Sequence, residues 1–127
     1  MIQPALRRGA VVISDRYVDS SLAYQGAGRP LDREDVGLVN GFATGDLVPD
    51  LTLLLDIDPA VGLVRSGATD RLEAEPLAFH QAVRAGFLAL AAEEPERYVV
   101  IAADEDPELV QERIANAVTA VLAELDR

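Results

Sequence analysis

Three short stretches of the chain are apolar with little or no alternation: Ala10 to Ile13, Leu51 to Leu55, and Tyr98 to Ile101. A strand with one wet face alternates apolar and polar residues, whereas a strand covered on both faces does not. These runs are therefore expected to be strands buried on both sides of a sheet. The first two close on Ser14 and Asp15, and on Asp56; the third runs through Ala102 and Ala103 to Asp104. Between and after the runs the period lengthens. Phe79, Val83, Phe87 and Leu90 recur at intervals of 4, 4 and 3, and Val110, Ile114, Val118, Val121 and Leu125 follow a similar rhythm. Each set makes one apolar stripe on a helix. Pro107 suits the first turn of the last helix, and Pro95 stops the one before it. Asp32 suits an N-cap, with Glu34 and Asp35 in the first turn behind it. Ile2 to Arg8 reads as the last two turns of a helix stopped at Gly9, so the chain is expected to begin inside an element. The alternation predicts an α/β fold with parallel strands, in one domain over residues 1–127. In such open sheets, ligands bind beyond the carboxyl ends of the strands.

Composition narrows the chemistry. The chain has 127 residues, 22 acidic and 11 basic, and a net charge of −11. That charge repels nucleic-acid polymers and anionic membranes. It leaves room for a small anionic ligand held by a few placed arginines. All of the basic residues are arginine, and there is no lysine. A Schiff-base lysine, a lysine general base and a P-loop lysine are thus excluded within these residues. The absence of cysteine excludes disulfides, thiol nucleophiles and cysteine-ligated zinc. A single histidine, His80, excludes a histidine-rich metal centre. No apolar run is long enough for a membrane span, and MIQPALRRG has no apolar core of a secretory signal, so a cytoplasmic location is expected.

The most informative segment is Ile13 to Arg29. An apolar run there delivers Asp15 and Arg16 to its carboxyl end. The planar fork of an arginine suits a phosphate. Asp15 beside it is placed to hold that arginine or to join a Mg²⁺ shell. On a helix following it, Ser21 and Gln25 stand four apart, on one face, near Tyr24. A hydroxyl and an amide on one face read the edge of a base. The same residues equally make a strand-end salt bridge and a polar helix face, and spacing alone leaves both open.

DRYVDSSLAYQGAGR, residues 15–29, resembles the signature of bacterial thymidylate kinases. The resemblance continues in GFATGDLVPDLTLLLDI (41–57), in TDRLEAE (69–75) and in FHQAVRAGFLALAAEEPERYVVIAA (79–103), so it covers nearly the whole chain. It implies a P-loop kinase-like parallel sheet with flanking helices, and phosphoryl transfer from ATP, with Mg²⁺, to dTMP giving dTDP. Arg16 would grip the monophosphate, with Asp15 beside it near the Mg²⁺. Ser21 and Gln25 would contact thymine. Tyr24 would lie against the deoxyribose and disfavour a 2′-hydroxyl. Arg65 and Arg71 would belong to the lid that closes over the ATP phosphates, and Glu73 would stand near the sugar end of the monophosphate. The loop from Ala103 and Asp104 to Pro107 would border the adenine. A homodimer through helices is implied as well.

Two features depart from the family pattern. Such kinases begin with a Gly-rich P-loop ending in Lys-Ser/Thr, and that segment is absent here. Gly26-Ala27-Gly28-Arg29-Pro30 does not replace it, because it lacks the Lys-Ser/Thr and runs into proline rather than a helix. The lid is also short, with only Ser66 to Asp70 between Arg65 and Arg71, and an ordinary helix arginine is an equal reading of Arg65. His80 is expected to pack at the edge of its stripe. Asp104, Glu105, Asp106 and Glu108 sit where acids favour a helix dipole. Asp56 and Asp58 either face the site or make a turn before Pro59.

The resemblance therefore implies the C-terminal part of a thymidylate kinase fold, lacking its P-loop strand and N-terminal helices. The P-loop strand would lie between the first two runs, so its absence would part them and bare backbone edges. Isolated, the chain is expected to be inactive or nearly so. The alternative is a non-catalytic nucleotide-binding or interaction module on the same fold. A deoxynucleoside kinase is disfavoured by YQGAGR following DRY. The upstream reading frame separates the two main readings. An in-frame GxxxxGK followed by Ser or Thr would mark Met1 as an internal or misassigned start, whereas a stop codon or unrelated sequence would favour a truncated relic or a separate module.

Overall fold

The computed structural model describes residues 1–17, 23, 47–66 and 75–126. Its centre is a pair of parallel strands, β1 (Thr52–Asp56) and β2 (Tyr98–Ala102). Their register runs from Thr52 opposite Tyr98 to Asp56 opposite Ala102. One backbone bond extends the ladder at each end: Thr52 N–H donates to the Arg97 carbonyl and Ala103 N–H to the Asp56 carbonyl, both at 2.8 Å. Parallel neighbours need a long crossover. Here it includes α2 (Pro59–Ser66) and α3 (Leu77–Glu93), and α4 (Pro107–Leu125) follows β2.

Local chemistry sets the helix limits. Asp58 Oδ1 accepts from Ala60 N–H at 2.9 Å, so Asp58 caps α2 with Pro59 in its first turn. Asp106 does the same for α4, accepting from Glu108 N–H at 2.9 Å just before Pro107. Helix α3 ends at Glu93, before Pro95, as proline cannot continue the ladder. The short α1 (Ile2–Arg7) ends in paired reverse bonds: Gly9 N–H donates to the Leu6 carbonyl at 2.9 Å and Ala10 N–H to the Ala5 carbonyl at 3.1 Å. That closure needs a left-handed residue, and Gly9 supplies it with φ of 79°.

The predicted α3 stripe forms the core. Val83, Leu90 and Ala91 are buried with Tyr98 and Ala23, and Phe79, Phe87 and Leu54 pack against them. Ile101 is buried as well, at 3% exposure. No helix among the described residues is long and apolar enough to cross a membrane. The expected cap at Asp32, with Glu34 and Asp35, lies outside the described residues.

Three expectations are corrected. Ala10 to Ile13 is not a strand among the described residues, and Ile13 is 91% exposed. An apolar run becomes a strand only when a neighbour takes up its N–H and C=O groups, and no described strand does so. Second, β1 and β2 are not covered on both faces, since Leu55, Val99 and Val100 are exposed. Third, the stripe of α4 is only partly covered. Val110, Ile114, Val118 and Val121 are half-buried, Leu125 is exposed, and no residue of α4 is fully buried. All three follow from a sheet of two described strands, which is too narrow to shield the apolar residues around it.

The core predicts its own weak points. Ile101→Ala is expected to cost about 2–5 kcal/mol, as for other buried Ile truncations. Val64→Ala, at a position 82% exposed, is expected to change stability by less than about 0.5 kcal/mol. Urea unfolding midpoints at unchanged slope check both.

Candidate functional site

The carboxyl edge of the strand pair gathers charge from three directions. Strand β1 ends in Asp56, and β2 runs out into Ala103 and Asp104. Arg84 reaches this edge from α3. Its Nε donates to Asp56 Oδ1 at 2.8 Å and its Nη2 to Oδ2 at 3.0 Å, a two-point fork on one carboxylate. Arg65 reaches it from the last turn of α2. Its Nη1 donates to the Ala103 carbonyl at 3.1 Å, and its Nη2 makes a longer bond, 3.5 Å, to the Asp104 carbonyl. The loop after β2 is held by α4 too, through Arg113 on Glu105 at 2.8 Å.

The electrostatics follow the geometry. Asp56 has a pKa below the ordinary carboxylate value, chiefly through the Arg84 hydrogen bonds. Burial pushes the other way, and the Arg84 charge adds to the lowering. Arg84 is raised in turn, first by its hydrogen bonds to Asp56 and then by that carboxylate's charge. Burial opposes this, and Asp58 and Asp104 add to it. Of the two acids around Ile57, Asp58 is thus a helix cap and Asp56 faces the edge. Asp106 caps α4 and Glu105 pairs with Arg113, which places both at the helix start as their position suggested.

A second feature lies at the end of the Ala10 to Ile13 run. Arg16 is the one described non-glycine residue with positive φ, at 66°. Ser14 Oγ donates to the Arg16 carbonyl at 2.9 Å and braces the turn. A left-handed conformation costs a side-chain-bearing residue on the order of 1–2 kcal/mol. Such strain persists where the surroundings demand it, often at binding sites. Asp15 beside it is exposed. Among the described residues no three His, Cys, Asp or Glu side chains gather closely enough to hold a metal ion.

The structure thus brings together Arg65, Ala103 and Asp104, three of the residues read from the sequence, and sets Asp15 and Arg16 at one turn. Ser21, Tyr24, Gln25, Arg71 and Glu73 lie outside the described residues. The sequence reading passed over Arg84. Its signal was present, because it is the only basic residue in α3 and stands directly beside Val83 of the stripe. His80 packs its ring edge-on to Phe79 at 5.5 Å, in keeping with a packing role.

The Arg84–Asp56 pair predicts a pH dependence. A carboxylate with a lowered folded-state pKa contributes stability that is complete above its unfolded pKa and is lost as pH falls through the folded value. Arg84→Gln is expected to lower Tm at neutral pH. The gap from the parent should hold down to about pH 5 and narrow below about pH 4, where aspartates protonate. Thermal melts across that range check it, and a gap unchanged in acid would assign the effect to packing instead.

Comparison with known proteins bears on the whole segment. A family model described as Thymidylate kinase matches residues 1–114. The chain is 53% identical over 116 residues to a thymidylate kinase of Lactobacillus delbrueckii subsp. bulgaricus, a match covering 87% of this chain and 55% of that protein. It is 51% identical over 122 residues to one of Cutibacterium acnes, covering 96% and 60% respectively. It is 50% identical over 125 residues to one of Thermomicrobium roseum, covering 95% and 60%. The chain therefore spans little more than half the length of the curated relatives it matches. On the extent and identity of these matches, the chain belongs to the thymidylate kinase family.

Proposed function

We propose that these 127 residues carry the dTMP-gripping and adenine-bordering portion of a thymidylate kinase with a P-loop kinase-like sheet. The observation that carries this reading is the strained Arg16 turn. A left-handed arginine braced by Ser14 at the end of an apolar run is backbone strain of the kind that persists at ligand-binding turns. In the complete reaction the bond from the ATP γ-phosphorus to its bridging oxygen breaks. A new bond forms to an oxygen of the dTMP phosphate, giving dTDP and ADP. Such transfer depends on positioning and on neutralising spread charge. Arg16 would fix the dTMP phosphate with its two-point fork. Ser21 and Gln25 would orient the thymine, Tyr24 would close against the deoxyribose and Glu73 would face the sugar end. Arg71 would come from the lid over the ATP phosphates, and the Ala103–Asp104 loop would border the adenine.

A Mg²⁺ ion in such a site is held mostly by phosphate and water oxygens, with one or two carboxylates. Asp15, a single exposed carboxylate at the Arg16 turn, fits that mode. When bound with the nucleotide, the ion supplies charge neutralisation at the phosphates. The chain's own lack of lysine favours a companion reading, in which these residues bind nucleotide but do not turn it over, since the P-loop ammonium is not among them.

Calorimetry with dTMP tests the binding role. The chain is expected to bind dTMP in preference to dGMP. Arg16→Ala should weaken dTMP by about tenfold or more, the loss of a charged hydrogen-bonding partner, and leave thymidine binding unchanged. Equal affinity for dTMP and dGMP would remove the thymine-reading role, and an unaffected Arg16→Ala would remove the phosphate role. In a coupled ADP-release assay with ATP and dTMP, the 127 residues alone are expected to be silent. Turnover at the rate of a full-length relative would overturn the dependence on a P-loop lysine.

A further inference from the structure

Arg65 was read from the sequence either as a lid arginine over phosphate or as an ordinary helix arginine. The contacts point to a third role. Its guanidinium is directed at two backbone carbonyls, those of Ala103 and Asp104, at 3.1 and 3.5 Å. Those residues follow β2 at the carboxyl edge, thirty-eight and thirty-nine positions further along the chain. Successive carbonyls of a loop leaving a parallel strand have no ladder partner of their own, and an arginine fork can serve two of them at once. Arg84 beside it is committed to Asp56. The loop is also fastened by Arg113 on Glu105, and Asp106 caps α4. The stretch from Ala103 to Asp106 is therefore held by contacts from both α2 and α4, and Arg65 supplies the α2 part of that holding.

We infer that Arg65 is a positioning residue for the base-bordering loop: it fixes the Ala103 and Asp104 carbonyls rather than gripping phosphate. The inference rests on the reading of this edge as the adenine-bordering side. It couples the end of α2, which leads into the lid segment, to the loop that would meet the purine. An arginine engaged with carbonyls contributes equally to every ligand carrying the base, with or without phosphates. An arginine that grips phosphate contributes only to ligands that have them.

That difference is the test. Affinities of the chain for adenosine and for ATP are measured by NMR titration for the parent, Arg65→Ala and Arg65→Lys. Arg65→Ala is expected to weaken adenosine and ATP by the same factor, about tenfold, as for loss of a hydrogen-bonded charged group. Arg65→Lys, which keeps the charge but loses the planar fork, should fall between Ala and the parent for both ligands. Retained dTMP binding by the variants shows that they are folded. Where Arg65→Ala does not fold, Arg65→Lys alone decides through the same comparison of adenosine with ATP. A loss confined to ATP, or no loss for either ligand, overturns the inference and leaves the family reading in place. A parent chain that binds dTMP but neither adenosine nor ATP overturns the adenine assignment of this edge, and the inference falls with it.

Discussion

The parallel pairing of Thr52–Asp56 with Tyr98–Ala102 decides where every other described feature of the crossover stands. Parallel pairing places both carboxyl ends on one edge and both amino ends on the other. At the amino edge Arg97 holds the pair. Its Nε donates to Glu94 Oε2 at 2.7 Å, its Nη1 to Thr52 Oγ1 at 2.8 Å, and its guanidinium lies 4.7 Å from the centre of the Tyr98 ring. One side chain therefore touches the first residue of each strand and the turn between α3 and β2. At the carboxyl edge Arg84 fastens the last residue of β1 to α3. The helix that supplies the core stripe also supplies the pin, so a slip of α3 along the sheet would break apolar packing and the ion pair together.

The same pairing explains what is left uncovered. The two described strands offer little area, and apolar residues among the described ones stay exposed beside them. Leu55, Val99 and Val100 are apolar because the sequence is written for a strand with cover on both faces, yet they stand exposed. Ile13 and Val11 carry the same composition and have no ladder. Exposed apolar strand residues favour association with further strands, specific or otherwise.

Legibility in the sequence divided along these physical lines. The stripe of α3, the stops at Pro95 and Gly9, the start at Pro107 and the two paired strands were readable because each depends on local period or local stereochemistry. Ala10 to Ile13 misled for the opposite reason, since an apolar run states what a segment would bury and not whether a neighbour exists to receive it. At the site, Arg65, Ala103 and Asp104 were marked from the sequence, but their mutual contact was not. That contact depends on the crossover returning the chain to the same edge, a separation of thirty-eight residues that no local pattern encodes. Arg84 was missed because the stripe drew attention to its apolar neighbours, although a lone basic residue beside a core position is itself a sign of a directed partner.

The all-arginine composition takes on a physical meaning in this frame. A lysine offers a compact charge on a flexible stem, whereas a guanidinium offers a flat fork that binds two acceptors in fixed geometry. Three of the described arginines are used in that second way. Arg84 takes both oxygens of one carboxylate, Arg65 takes two carbonyls, and Arg97 takes a carboxylate, a hydroxyl and a ring face. In a chain of net charge −11, arginines engaged by protein acceptors add little attraction for a free anion, because their charge is already answered. Arg16 differs from these in its backbone, which holds a left-handed conformation at the end of the Ala10 to Ile13 run. The described contacts thus use arginine to fix protein acceptors by geometry, while the mobile ammonium that a P-loop kinase sets against the β- and γ-phosphates is one that an arginine fork does not reproduce.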